Sequence, residues 1–205
     1  MATYKEIKGT SIEVLSSDPS NPQLGQIWYN STSNTLKGIE FGAAAWATGG
    51  NLGATVYGNT GAGTQTSALS MGGHPQGRTA TEEYNGSSWT GGGNLGTGRE
   101  NTAACGTQTA GLIFGGQNPT LSPDEINNTE EYNGSSWTAG GNLPAVKRGN
   151  AGAGTQTAGL SFGGTPSGDD TNEYNGSSWT TSGAMTDGRF YLAGDGTQTA
   201  ALAFG

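Results

Sequence analysis

Seven letters, Glu-Tyr-Asn-Gly-Ser-Ser-Trp, stand three times in this chain, at 83–89, 131–137 and 173–179, and a worn copy with Phe41 and Ala44-Ala45 stands at 40–46. A second signature, Gly-Thr-Gln-Thr, begins at Gly63, Gly106, Gly154 and Gly196, each 17 residues beyond a Trp (Trp46, Trp89, Trp137, Trp179). An apolar stretch follows each time, closing on Met71-Gly72-Gly73, Phe114-Gly115-Gly116, Phe162-Gly163-Gly164 or Phe204-Gly205. Any fold of this chain must place the same unit several times over. It is a repeat protein.

The Trp-to-Trp steps are 43, 48 and 42 residues. Tyr-Asn-Gly between strand-formers predicts a β-hairpin on a tight type I′ turn, which needs positive φ at both central residues. The Trp opens the returning strand. In the third copy the pattern predicts strands over 129–132 and 136–139, a connection over 140–147, an inner strand of tiny residues over 149–153 and a further strand over 159–163. No segment carries the i, i+3, i+4 spacing of an amphipathic helix. A period of this length with four short strands per unit describes a β-propeller blade. The expected fold is therefore all-β: a propeller of four short blades over 38–205, behind a short extended or β segment over 1–37 that holds a hairpin. There are four Tyr-to-Trp hairpins and four Gly-Thr-Gln-Thr hairpins, the former starting the series and the latter ending it. The ring closes if the last hairpin (about 187–205) docks beside the first (about 36–48).

Glycine, at 39 residues, far exceeds the usual ~7%. Its fixed offsets from Trp and Phe argue for packed turns and against a low-complexity linker. A formal charge of −8 argues against nucleic acid and against an anionic membrane surface. No apolar run approaches the ~20 residues of a membrane span, and Met1-Ala2-Thr3-Tyr4-Lys5 lacks the basic start and apolar run of a secretory leader. The one cysteine, Cys105, rules out an internal disulfide or a Cys-rich zinc site. It stands where the other repeats hold Ala62, Ala153 and Asp195, so a partly buried thiol is expected.

Catalytic chemistry has little to draw on. The only histidine, His74, sits in a Gly-Gly-His-Pro loop and reads as solvated. Ser-His-Asp catalysis and His-based metal ligation both require more. Asp124-Glu125 and Asp169-Asp170 lack calcium-loop spacing and read as solvated loop charge. No catalytic residue, metal or cofactor is expected, and the chain reads as a non-enzyme.

The repeats disagree in one place. The link from each Gly pair to the next Glu-Tyr spans 10, 15 or 9 residues, while Trp to Gly-Thr-Gln-Thr never changes. In a four-stranded antiparallel blade these divergent links share one end with the connections between blades. Arg99, Lys147 and Arg189, with Val56 as fourth member, occupy one repeat position there, beside Tyr57, Arg148, Phe190 and Tyr191. Loops shown by a rigid scaffold are a usual place for binding. These seven, Val56 aside, are the expected ligand contacts, suited to an anionic or sugar ligand through charge-assisted hydrogen bonds and stacking. The competing readings are loop drift and surface pairing of the cations with Glu100 and Asp187.

The repeat resembles the kelch motif: an apolar strand ending in a Gly pair (Phe162-Gly163-Gly164), a Tyr and a Trp (Tyr132, Trp137), then Leu143-Pro144 and Arg148. It departs from kelch in its shorter blades and in having Gly53, Gly96 or Thr186 where the Pro belongs, which makes it a degenerate version. The opening run Pro22 to Asn30 with Leu36-Lys37-Gly38 resembles a hairpin motif of tail fibres and other virion proteins of tailed phages, and the repeats resemble kelch-type structural proteins of marine phages. The resemblance implies a virion protein: a surface appendage or tail-fibre-associated module, attached to other virion proteins through its N-terminal segment, oligomeric on the particle, and presenting a face to a host glycan or protein. It leaves open a capsid decoration without receptor binding and, further off, a carbohydrate-active enzyme.

Overall fold

A computed structural model of the chain describes residues 12–21, 26–38, 47–75 and 79–205. The chain divides into two compact units, Met1–Thr48 and Gly49–Gly205. In the first, β1 (Glu13–Leu15) lies parallel to β2 (Ile27–Asn30), which pairs antiparallel with β3 (Thr35–Gly38). A single carboxylate ties this small sheet together. Asp18 accepts hydrogen bonds from Lys37 Nζ at 2.6 Å, Asn30 Nδ2 at 2.8 Å and Trp28 Nε1 at 3.0 Å. These bonds, that from Lys37 foremost, hold its pKa down at about 2. The worn copy at 40–46 lies outside the described residues, and with it most of the first hairpin expected to close the ring.

The second unit is built of antiparallel sheets. Its strands are β4 (Thr60–Thr64), β5 (Ser67–Met71), β6 (Thr81–Tyr84) and β7 (Trp89–Gly91); β8 (Ala103–Thr107), β9 (Ala110–Phe114), β10 (Thr129–Tyr132) and β11 (Trp137–Ala139); β12 (Ala151–Thr155), β13 (Ala158–Phe162), β14 (Thr171–Tyr174) and β15 (Trp179–Thr181); and β16 (Ala193–Thr197) with β17 (Ala200–Phe204). Each group of four forms one four-stranded sheet in chain order, and β16–β17 form a two-stranded one. No helix occurs among the described residues. The Gly-Thr-Gln-Thr hairpin thus supplies the first two strands of each sheet, and the next Tyr-to-Trp hairpin the last two.

The first strands β4, β8, β12 and β16 lie side by side in that order. Their tiny residues permit this approach. A Cβ on Gly152 would stand 2.8 Å from the Phe114 ring, and one on Gly194 would stand 2.3 Å from that of Phe162. Residues of all four strands line two pockets, one of about 280 Å³ toward the loop end and one of about 180 Å³ toward the Gly-Thr-Gln-Thr turns. The core sits between sheets: Leu69, Met71, Leu95, Ile113 and Tyr132 between the first and second; Cys105, Leu112, Phe114, Leu143, Tyr174 and Trp179 between the second and third; Ala151, Leu160, Phe162 and Leu192 beneath β16–β17.

Both kinds of hairpin turn differ in detail from expectation. Tyr84 pairs with Trp89, Tyr132 with Trp137 and Tyr174 with Trp179, leaving Asn-Gly-Ser-Ser as the loop. Only the glycine is left-handed, at φ 93° for Gly86, so the turn is not type I′. Asn85 Oδ1 instead accepts from Ser87 N at 3.0 Å and Ser88 N at 2.9 Å, and Asn133 and Asn175 do the same. The inner strand runs on through Gly154 to Thr155, two residues past its expected end, because Gln156 and Thr157 alone make the turn.

Candidate functional site

The invariant parts of the repeat turn out to join one sheet to the one before it. Gln108 Nε2 donates to Tyr84 O (2.7 Å) and Ala68 O (3.2 Å) of the first sheet. Gln156 reaches Tyr132 O and Gly111 O in the second, and Gln198 reaches Tyr174 O and Gly159 O in the third. Trp137 Nε1 donates to Thr81 Oγ1 and Trp179 Nε1 to Thr129 Oγ1, each at 2.9 Å. Tyr132 Oη donates to Glu83 and Tyr174 Oη to Glu131. Burial first, then the carboxylate partner, pushes both phenols up, that of Tyr174 to about 12. This is why the letters repeat.

The cations expected on the variable end belong to the interior as well. Arg99 is 0% and Lys147 1% exposed. Arg99 donates to Thr97 O, Gly115 O and Asn128 O, and its Nη2 meets Glu130 Oε1 at 2.6 Å. Lys147 Nζ donates to Gly163 O and Asp170 O, with the Asp170 carboxylate at 3.9 Å. Arg189 Nη1 donates to Gly205 O. Each cation meets a main-chain oxygen 16 residues ahead, on the glycine that follows the second strand: Gly115, Gly163 and Gly205. There a left-handed φ (66° at Gly115) turns the chain out of the ladder and leaves that carbonyl without a strand partner. Burial pulls both Arg99 and Lys147 below their ordinary pKa values, against the opposing acids Glu130 and Asp170. The expectation that Arg99 and Lys147 offer charge to a ligand is corrected: both are clamps.

Arg148 does reach the loop end, but its charge is matched. It lies 3.1 Å from Glu125, 3.9 Å from Asp124, and donates to Gln117 Oε1 at 2.7 Å. Asp124-Glu125 and Asp170 are therefore paired groups, where solvated loop charge was expected. His74 Nδ1 lies 2.6 Å from Tyr57 Oη, the rings edge to face. Cys105 is buried and its thiol is pushed by burial to about 12, which removes it as a nucleophile at neutral pH. Among the described residues no three of His, Cys, Asp and Glu gather into a possible metal cluster.

What the loop end does present is aromatic. Tyr57 is 61%, Phe190 50% and Tyr191 65% exposed. The backbone beneath them is fixed by four equivalent left-handed residues, Gly58 (φ 65°), Asn101 (52°), Gly149 (60°) and Tyr191 (56°). They are strung together by Tyr191 N to Gly149 O, Gly149 N to Asn101 O and Asn101 N to Gly58 O, at 2.7–2.9 Å. These exposed rings stand beside a hydrogen-bonded frame and offer a surface for contact. Compared with protein-family models and with curated proteins, the chain matches none.

Proposed function

We propose that the chain is a kelch-like β-propeller of four short blades that serves a tailed-phage virion as a non-enzymatic display module, with a host-binding face at its loop end. Three four-stranded sheets, and a β16–β17 pair equivalent to the inner half of each, support the count of four. The observation that carries the binding face is the exposure of Tyr57, Phe190 and Tyr191 at equivalent positions of a hydrogen-bonded frame, with Arg99 and Lys147 turned inward. Exposed aromatic groups on a rigid support are favourable contacts, because little side-chain freedom is lost when they bind. Arg189, half-exposed beside Phe190, belongs to the same face. The virion setting rests on the likeness of the opening hairpin and of the repeats to phage structural proteins. In that setting the N-terminal segment attaches to other virion proteins, in several copies, and the propeller faces a host glycan or protein.

The burial of Arg99 and Lys147 favours a second reading, capsid decoration, since it withdraws two of the expected ligand contacts. Fluorescently labelled protein, titrated onto a panel of bacterial cells and onto purified phage particles, separates the two. Saturable adsorption to one bacterial host supports attachment. Stoichiometric binding to capsids with no adsorption to cells overturns it in favour of decoration.

A further inference from the structure

The three-stranded sheet of the first unit has two unlike faces. Its register sets Glu13, Trp28 and Lys37 in one row and Leu15, Asn30 and Thr35 in another, on the face that Asp18 ties together. Side chains alternate across a strand, so the rows between them point the other way. There Val14, Tyr29 and Leu36 share a row, Ile27 stands in the next opposite Gly38, and Ile12 lies two residues before Val14. Val14 is 65%, Leu36 61%, Ile27 47% and Ile12 41% exposed, and Tyr29 is half-buried.

A sheet of three strands is stable on its own when it has an apolar face to pack. Among the described residues of this unit Trp28 is the only buried apolar side chain, and it lies on the opposite face. The apolar face is the open one. None of its described residues is charged, and its one polar side chain, Tyr29, already donates from Oη to Asn34 Oδ1 at 3.2 Å.

We propose that this face pairs with its own image: the sheets of two copies pack face to face about 10 Å apart as a six-stranded sandwich, filled by Ile12, Val14, Ile27 and Leu36 of each. Charge selects a second copy as the occupant. Met1–Thr48 holds three lysines against four acids, a formal charge of −1, whereas Gly49–Gly205 holds five cations against twelve acids, −7. Second units repel one another, and the nearly neutral first unit is where two copies can meet. A face without charge or a free hydrogen-bonding side chain offers a different protein no polar mark to recognise, but it is complementary to itself, as an isologous two-fold contact requires. The inference is independent of the virion setting and of the loop-end face, whose rings belong to the second unit.

Sedimentation equilibrium of the full chain tests it. Four aliphatic side chains from each copy make a contact the size of transient encounters. The 20.6 kDa chain should therefore sediment as a monomer when dilute and approach twice that mass at high micromolar concentration. Val14→Lys combined with Leu36→Lys should stay monomeric throughout. Val14→Thr combined with Leu36→Thr, which keeps strand-forming residues, should weaken association at least tenfold and decides the matter if the lysine pair fails to fold. Leu202→Lys, which alters the exposed leucine of β17, should leave association unchanged. The proposal is overturned if the parent stays monomeric at millimolar concentration, or if its limiting mass is other than twofold. It is equally overturned if the threonine pair associates like the parent, or if Leu202→Lys abolishes association, which would move the contact to β17.

Discussion

A buried guanidinium with four acceptors behaves unlike a surface charge, and Arg99 shows the difference. Replacing it by leucine strands the Glu130 carboxylate, 6% exposed, with only Gly96 N and Thr97 N as donors. Breaking a buried pair in this way costs about 3 kcal/mol or more, roughly 6–12 °C in melting temperature for a domain of this size. Arg99→Lys should cost much less, because Lys147 already fills the equivalent position. Calorimetry of the two variants checks both; a leucine variant as stable as the parent would mean the clamp does nothing. Tyr174 makes a statement about pH. Its folded pKa, about 12, exceeds the ordinary 10.0, so the folded chain keeps a proton that the unfolded chain gives up. The stability from this group is complete below pH 10 and fades as pH rises from 10 towards 12. Tyr174→Phe removes that dependence, so the stability difference between parent and variant should shrink over this window. A difference independent of pH would contradict it. Neither role was legible in the sequence. The acceptors of Arg99 are backbone carbonyls 16 and 29 residues away, and a carbonyl has no letter of its own.

Among elements, the four strands per repeat were legible because hairpin sequences are local: Thr129–Tyr132 lies where the pattern places it. What local pattern cannot carry is the reason that Gly-Thr-Gln-Thr never varies. The turn needs the glycine, left-handed at each copy, where a Cβ on Gly106 would stand 2.3 Å from Ala110 O. The glutamine, however, is addressed to the preceding sheet. Gln156→Ala deletes two bonds between sheets and should cost about 1–3 kcal/mol, while Thr157→Ala beside it, exposed at the tip, should stay within about 0.5 kcal/mol. Urea unfolding of the pair decides whether the turn or the staple is the conserved feature. Equal losses in the two variants would mean that the turn alone matters. The aromatic face of the candidate site was legible as letters, Tyr57 and Phe190-Tyr191. Its separation from Arg99 and Lys147 was not, since neighbours in sequence point to opposite sides of the loop frame.

On the scale of the whole molecule, stability resides in layers between successive sheets, so the last pair of strands matters more than its size suggests. Leu192, Ala201 and the β16 backbone cover Ala151, Leu160 and Phe162. Deleting residues 187–205 uncovers that layer and removes the Gln198 staple. Exposing about 200 Å² of apolar surface costs about 5 kcal/mol, comparable with the entire stability of an ordinary domain. The truncated chain should therefore lose its cooperative melt and become insoluble. A soluble truncation with the parent's melting temperature would show the three full sheets to be self-sufficient.

The staples run one way and end on main-chain oxygens. A sheet grips its predecessor through carbonyls that every predecessor possesses, whatever its side chains. A copied repeat therefore finds the glutamine's acceptors in any neighbour, whereas the bonds of its Trp and Tyr still call for a Thr and a Glu there, as Thr81 and Glu83 serve Trp137 and Tyr132. Gene duplication can lengthen or renew such a chain in a single step, and the loops between Gly pair and Glu-Tyr, which carry none of the glutamine staples, are free to diverge in length afterwards. The same direction orders synthesis on the ribosome: each sheet emerges after the one it must hold, and finds its acceptors already in place.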